Sequence, residues 1–213
     1  GANGTVTDGF GNTDLFSGVS QLEGTDLADA IAGGDGDEVL EGLAGDDSIE
    51  GGDGDDDLFG GDGNDTLEGG DGRDDLTGGA GNDLLDGGPG DRDDARYDRE
   101  DGPQGVSVDL AAGVDFVSYF FALGPVSVDL DAERAFDDGF GGVDTLQGIE
   151  EVSGGFFNDT LLGADNDVDE VFQGFEGADF IDGRGGDDRV SYRFEVEDGG
   201  RQGVVVDLAA ETA

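Results

Sequence analysis

Seven acidic residues, Asp29, Glu38, Asp47, Asp56, Asp65, Asp74 and Asp83, stand nine residues apart, and each is followed two residues later by an apolar one: Ile31, Leu40, Ile49, Leu58, Leu67, Leu76 and Leu85. Carboxylates at a fixed spacing stack into a column once the backbone coils with the same period, and such a column needs cations. The chemistry available is oxygen coordination of a hard ion. Calcium suits it better than magnesium because it accepts about six to eight irregularly placed oxygen ligands, whereas zinc and copper favour nitrogen or sulfur. The chain has no histidine and no cysteine to supply those atoms. It has no lysine either, so neither a serine nucleophile nor a general base finds its usual helper. Several calcium ions are the expected cofactor, and no catalytic residue is assigned.

These acids occupy the sixth position of a phrase repeated seven times over residues 33–95: GGDGDEVLE, GLAGDDSIE, GGDGDDDLF, GGDGNDTLE, GGDGRDDLT, GGAGNDLLD and GGPGDRDDA. Glycine fills positions one and four of every copy, and position eight is apolar from Leu40 to Leu85. A fixed period implies a solenoid rather than a globule. Each phrase divides into a six-residue turn and a three-residue strand, and two phrases close one flattened coil of 18 residues. Successive coils then pair as parallel strands about 4.8 Å apart.

Charge decides how such a coil holds together. The chain carries 55 acids against nine arginines, a formal net charge of −46, which excludes nucleic acid as a partner and makes an anionic membrane an unfavourable one. Residues 33–95 alone hold 22 acids and two arginines. One buried apolar side chain per phrase does not offset that repulsion together with the ordering of nine residues. The cation-free array is therefore expected to be disordered, and a divalent ion to fold it.

The remaining chain repeats on a longer scale. Residues 1–32 form an N-terminal spacer block and a lead-in coil, 33–95 the main array, 96–153 a strand-rich spacer, 154–191 a second short array, and 192–213 a C-terminal strand segment. V-x-V-D-L occurs at 106–110, 126–130 and 204–208, each time after a tyrosine, Tyr97, Tyr119 or Tyr192. Period-two alternation of β-branched residues reads as strand. Residues 143–163 align without a gap on 13–33, pairing Asp144 with Asp14, Gly148 with Gly18 and Asp159 with Asp29. Asp179 and Asp188 hold the sixth position in the second array. No run approaches the roughly 18 apolar residues of a membrane span, and no signal-peptide pattern opens the chain.

G-G-x-G-x-D-x-U-x, with U a large apolar residue, resembles the nonapeptide of RTX (repeats-in-toxin) proteins over residues 24–95 and 154–191. The D-T-L-x-G-I-E-x-V blocks resemble spacers between arrays in long members of that family. The resemblance implies an all-β fold, a right-handed parallel β-roll or β-solenoid with calcium stacked in its turns and almost no helix. It implies calcium ligation by Asp29, Glu38, Asp47, Asp56, Asp65, Asp74, Asp83, Asp159, Asp179 and Asp188, helped by the carbonyls of Gly52, Gly54, Gly61, Gly63, Gly70 and Gly72. Three departures are visible: Glu38 is longer than aspartate, Leu43 and Phe175 replace position-two glycines, and Arg92 is expected to leave the last turn without its ligand.

The resemblance further implies type I export and folding in extracellular calcium, at a bacterial surface or free of it. Two functions follow: a secreted structural or adhesive rod, or the C-terminal folding and export module of a secreted hydrolase or toxin. The end of the chain after Val206-Asp207-Leu208 and its start at D8-G9-F10-G11 together resemble the internal run through D138-G139-F140-G141, so the chain is expected to join head to tail with itself or with adjacent repeats of a longer protein. Asp53, Asp62 and Asp71 are expected to face solvent or act as secondary ligands, and Asp109, Asp129 and Asp207 to cap strands. The aromatic group Phe116, Tyr119, Phe120, Phe121, Phe156 and Phe157 reads as a plug stiffening the spacer, with a carbohydrate platform as the other reading.

Overall fold

An apolar residue flanked by extended positions and released by a glycine-rich turn makes one short strand per phrase, and the computed structural model follows that rule. It describes residues 3–90, 92–97, 107–110 and 114–191, so the expected segment 192–213, with Tyr192 and Asp207, lies outside the described residues. All regular elements among them are strands. The N-terminal block holds β1 (Asn3–Thr7), β2 (Thr13–Ser17), β3 (Gln21–Glu23) and β4 (Ala30–Ala32). The array holds β5 (Val39–Ala44), β6 (Ser48–Asp53), β7 (Asp57–Asp62), β8 (Thr66–Asp71), β9 (Asp75–Ala80), β10 (Leu84–Asp86) and β11 (Asp94–Arg96). The spacer follows with β12 (Ser107–Asp109), β13 (Phe116–Ser118), β14 (Val126–Asp129), β15 (Arg134–Asp138), β16 (Asp144–Gln147) and β17 (Glu151–Ser153). The second array adds β18 (Thr160–Leu162), β19 (Val171–Gln173), β20 (Phe180–Asp182) and β21 (Arg189–Val190).

Successive strands from β3 to β14, and again from β16 to β21, go to opposite walls. One sheet has twelve strands in the order β2-β1-β4-β6-β8-β10-β12-β16-β15-β14-β18-β20, and the other nine, β3-β5-β7-β9-β11-β13-β17-β19-β21. Leu40 pairs with Leu58 and Leu58 with Leu76, while Ile49 pairs with Leu67 and Leu67 with Leu85, so each coil takes 18 residues. The position-eight side chains become two facing ladders with almost no exposure, and they are the core. Burying each contributes about 1.5–3 kcal/mol. Strands β5 to β9 are six residues long rather than the expected three, because the glycine turns pair as well, for example Gly52 with Gly70.

The spacer widens the same two walls. Val117 continues one ladder between Ala95 and Val152, and Val108 continues the other between Leu85 and Leu146. Tyr97 and Tyr119 stack in the core with ring centroids 4.6 Å apart, and the Tyr119 hydroxyl donates to Asp144 Oδ2 at 3.2 Å. The phenylalanines behave differently. Phe120 packs against Phe121, Phe156 and Phe175, yet Phe121, Phe156 and Phe157 remain exposed, so the expected plug is the tyrosine pair and the phenylalanines form an outer ridge.

The long repeat is structural as well as textual. Strands β2, β3 and β4 recur as β16, β17 and β18, and Gly18 and Gly148 share φ values of 69° and 68°. Asp8 Oδ1 accepts the Phe10 and Asn12 amides, and Asp138 Oδ1 accepts those of Phe140, Gly141 and Gly142. One difference matters: β1 pairs directly with β4, whereas β14 stands between β15 and β18.

Position two requires a left-handed backbone, and three side chains occupy it regardless. Leu43, Phe175 and Arg184 have φ values of 84°, 62° and 62°. Arg184 is held by a bidentate pair with Asp129, at 2.6 and 2.9 Å, and by donation to the Gly163 carbonyl. Asp129 also accepts the Ala132 amide, the strand-capping role expected for it. Leu43→Gly relieves its strain and is expected to raise stability by about 1 kcal/mol. Denaturant unfolding in saturating calcium measures it, and a loss of stability contradicts the assignment.

Candidate metal centre

The repeat places each position-six acid just before its strand, at the corner between turn and wall, where the next coil covers it. Asp29, Glu38, Asp47, Asp56, Asp65, Asp74 and Asp83 are at most 4% exposed. They form two columns. In each, one carboxyl oxygen accepts the backbone N–H of the acid one coil earlier: Asp47 from Asp29 at 2.7 Å, Asp65 from Asp47 at 2.8 Å, and Asp83 from Asp65 at 2.9 Å. The opposite column runs from Glu38 to Asp56 at 2.7 Å and from Asp56 to Asp74 at 2.9 Å.

The other oxygen has nothing. Oδ2 of Asp47, Asp56, Asp65, Asp74 and Asp83, and Oδ1 of Asp29, are buried without a hydrogen-bond partner. An unpaired buried carboxylate oxygen is costly, so a repeated row of them fits positive charge held alongside. Carbonyl oxygens lie alongside. A Cβ built on Gly42 would meet Asp47 Oδ2 and sit 2.7 Å from the Gly60 carbonyl, and one on Gly69 would meet Asp74 Oδ2 and the Gly87 carbonyl. Among the described residues no group of three or more acids gathers at one point, so carbonyls must complete any coordination shell. Carboxylate and carbonyl oxygens without nitrogen or sulfur are the donor set that calcium takes.

The remaining expected ligands divide. Glu38 accepts the Gly34 amide on Oε2 at 3.0 Å, as Asp29 accepts the Thr25 amide at 2.6 Å. Asp159 accepts the Val126 amide on one oxygen and the Gly155 amide on the other, both at 2.8 Å, so protein donors satisfy it. Asp179 and Asp188 are half-buried near the end of the walls and accept the Asp159 and Glu170 amides. The carbonyls of Gly52, Gly54, Gly61, Gly63, Gly70 and Gly72 lie against Gly70, Gly72, Gly79, Gly81, Gly88 and Gly90 inside the turns. The carbonyls beside the carboxylates belong instead to position-one glycines. Asp53, Asp62 and Asp71 are exposed.

The expectation about Arg92 is overturned. One extra residue in the last phrase moves Asp93 into the sixth position, where Oδ1 accepts the Asp74 amide at 2.9 Å and Oδ2 is left without a partner. Arg92 turns outward to Asp94 and Glu151, 3.1 Å from each, with its guanidinium over the Phe116 ring. Sequence reasoning also missed Asp115, Glu150 and Glu170. Each stands two residues before a buried core side chain, Val117, Val152 or Phe172, as the array acids do, and that spacing was the available signal.

Burial, reinforced by neighbouring acids, pushes Asp65 and Asp74 up to about 7 and Asp56 and Asp93 up to about 6. The ordinary value is 3.8, so between there and about 7 the folded chain binds more protons than the unfolded one. Stability of the cation-free coil therefore falls as pH rises through that window, and charged neighbours repel most above it. Calcium must displace those protons. The midpoint of a calcium titration is expected to move to higher calcium between pH 8 and pH 6, roughly tenfold for a one-proton exchange over part of that interval. A midpoint independent of pH contradicts the assignment.

The fold and these columns define a parallel β-solenoid whose buried carboxylates are arranged for cations. The family described as RTX calcium-binding nonapeptide repeat (4 copies) matches residues 32–67, 59–92 and 166–192. The chain thus carries RTX calcium-binding nonapeptide repeats in both arrays, a calcium-binding structural module. A comparison with curated proteins found no match.

Proposed function

We propose that this chain is a secreted or cell-surface structural segment that folds on meeting calcium outside the cell and joins end to end into an adhesive or scaffolding filament. The observation that carries the calcium part is the row of buried, unpartnered carboxylate oxygens. On this reading Asp47, Asp56, Asp65, Asp74 and Asp83 supply the carboxylate ligands, position-one and turn carbonyls complete the shells, and Glu38, Asp159, Asp179 and Asp188 are weaker contributors. A right-handed coil is the sense that parallel crossovers favour. Type I secretion fits a chain that stays unfolded until it reaches calcium.

The end-to-end part is supported by the position of β2 and β20 at the two edges of the twelve-stranded wall among the described residues. The counterpart of β2 is β16, and β16 is covered in parallel by β12, Val108 opposite Leu146. Where Ile149 and Asp144 are buried, their counterparts Val19 and Asp14 are exposed, and Leu15 and Phe10 stand 84% and 80% exposed. The run Q104-G105-V106-S107-V108-D109-L110-A111-A112 around β12 recurs as Q202-G203-V204-V205-V206-D207-L208-A209-A210. On this reading a second copy covers β2 as β12 covers β16. Such a heterologous, non-closing contact makes a filament.

Electron microscopy in millimolar calcium tests this. Fibres are expected from the full chain and short rods from a chain lacking residues 204–208. Short rods from the full chain contradict the filament.

A further inference from the structure

Outside the segments that match the repeat family, the spacer contains a second arrangement of the same kind. Asp93 and Asp115 are fully buried, and the Asp93 amide donates to Asp115 Oδ1 at 2.9 Å. The Asp115 amide donates in turn to Glu150 Oε2 at 3.0 Å, and the Asp115 carbonyl accepts the Glu150 and Glu151 amides. The column that begins at Glu38 therefore runs on through Asp56, Asp74, Asp93, Asp115 and Glu150, although its steps lengthen from 18 residues to 19, 22 and 35. Asp93 Oδ2 and Asp115 Oδ2 are both buried without a partner. In the opposite column, among the described residues, the acid ladder runs as far as Asp83, and Asp159 beyond the spacer has both its oxygens satisfied by amides.

We propose that Asp93 and Asp115 hold a divalent cation, calcium by their oxygen chemistry, within the spacer. Their carboxylates lie one strand spacing apart, about 4.8 Å, since β11 and β13 pair directly behind them. A Cβ built on Gly87 would sit 2.5 Å from Asp93 Oδ2, so the oxygen lies against bare backbone as its equivalents in the array do. The nearby cation does not satisfy them. Arg92 is spent on Asp94 and Glu151, and Arg73 and Arg96 also turn to Asp94. Asp94, Glu150 and Glu151 add negative charge around the pair, which favours an ion there. The ion ties β11 to β13 where the regular repeat ends, and so carries the calcium-set column from the array into the spacer. This inference rests on the calcium reading of the array.

Ions bound per chain are counted by native mass spectrometry in calcium for the wild-type chain, Asp115→Asn and Asp56→Asn. Asp115→Asn is expected to bind one ion fewer than wild type, and Asp56→Asn also fewer. An unchanged count in Asp115→Asn with a reduced count in Asp56→Asn overturns the spacer site and leaves the array reading intact; a wild-type chain that binds no calcium overturns both. A second readout keeps the spacer acids intact. The three tyrosines are Tyr97, Tyr119 and Tyr192; Tyr97 and Tyr119 are four residues beyond Asp93 and Asp115, and Tyr192 is four beyond Asp188 of the second array. Terbium added to Tyr192→Phe is expected to emit on tyrosine excitation and to lose that emission to excess calcium. Terbium that binds without tyrosine-sensitised emission overturns the proposal.

Discussion

Asp65→Asn is expected to destabilise the calcium-loaded chain and stabilise the calcium-free one. Asp65 is buried in the middle of its column, with Oδ1 accepting the Asp47 amide and Oδ2 unpartnered. In calcium, the substitution removes a charged ligand from a buried ion and leaves that ion under-neutralised. Breaking a buried ionic contact from one side costs about 3–5 kcal/mol. Without calcium the balance reverses, because burial has already pushed this carboxyl up to about 7 and its charge is repelled by Asp83 and Asp47. A neutral amide of the same shape removes that repulsion while keeping an oxygen for the Asp47 amide. Thermal unfolding of both chains at pH 8 in saturating calcium reads the first sign. In chelator the second is read from the pH below which β-strand forms, and Asp65→Asn is expected to form strand at a higher pH than wild type. A loss in calcium together with a lower pH of strand formation in chelator would mean that Asp65 is a packing residue and not a ligand.

Gly70→Ala is expected to cost about 3 kcal/mol or more, from backbone strain and overpacking together. Gly70 has φ of 112°, and a Cβ there would run into the carbonyl oxygen of Gly52, with its carbonyl carbon at 2.9 Å and Cα at 3.2 Å. All three atoms belong to the backbone of the coil before it, so no rotamer change relieves the contact. Gly11→Ala separates the two causes. Gly11 also has positive φ, 82°, but nothing lies within 4 Å of its Cβ, and about 1 kcal/mol of conformational strain is expected there. Equal costs at the two positions, read by denaturant unfolding in calcium, would contradict close stacking of the turns.

The array was readable in the sequence because nine divides into both the chemistry and the geometry. Asp47, Asp56 and Leu58 announce their own positions, and the 18-residue coil follows from pairing alternate phrases. Asp93 was hidden by a single inserted residue, which also made Arg92 look like a vacancy. Asp115 and Glu150 were hidden by loops that stretch the steps of the column, so no fixed spacing points to them. Their local signature, an acid two residues before a core side chain, is present in D115-F116-V117 and E150-E151-V152 as in D56-D57-L58. A strand tolerates a loop of any length in front of it, and the period is lost while the position is kept. The likeness of residues 13–33 to 143–163 was equally legible. That β14 enters between β15 and β18 while β1 meets β4 directly was not, because strand order across a wall depends on which partner is at hand.

On the proposed reading, cations seated in the carboxylate columns fold this chain. Far-ultraviolet circular dichroism during a calcium titration at neutral pH tests it most directly, with magnesium at matched ionic strength as the control. A disordered spectrum is expected without calcium and a cooperative gain of β-strand as calcium is added, with magnesium far less effective. A calcium-free spectrum already rich in strand and unchanged by calcium would contradict it.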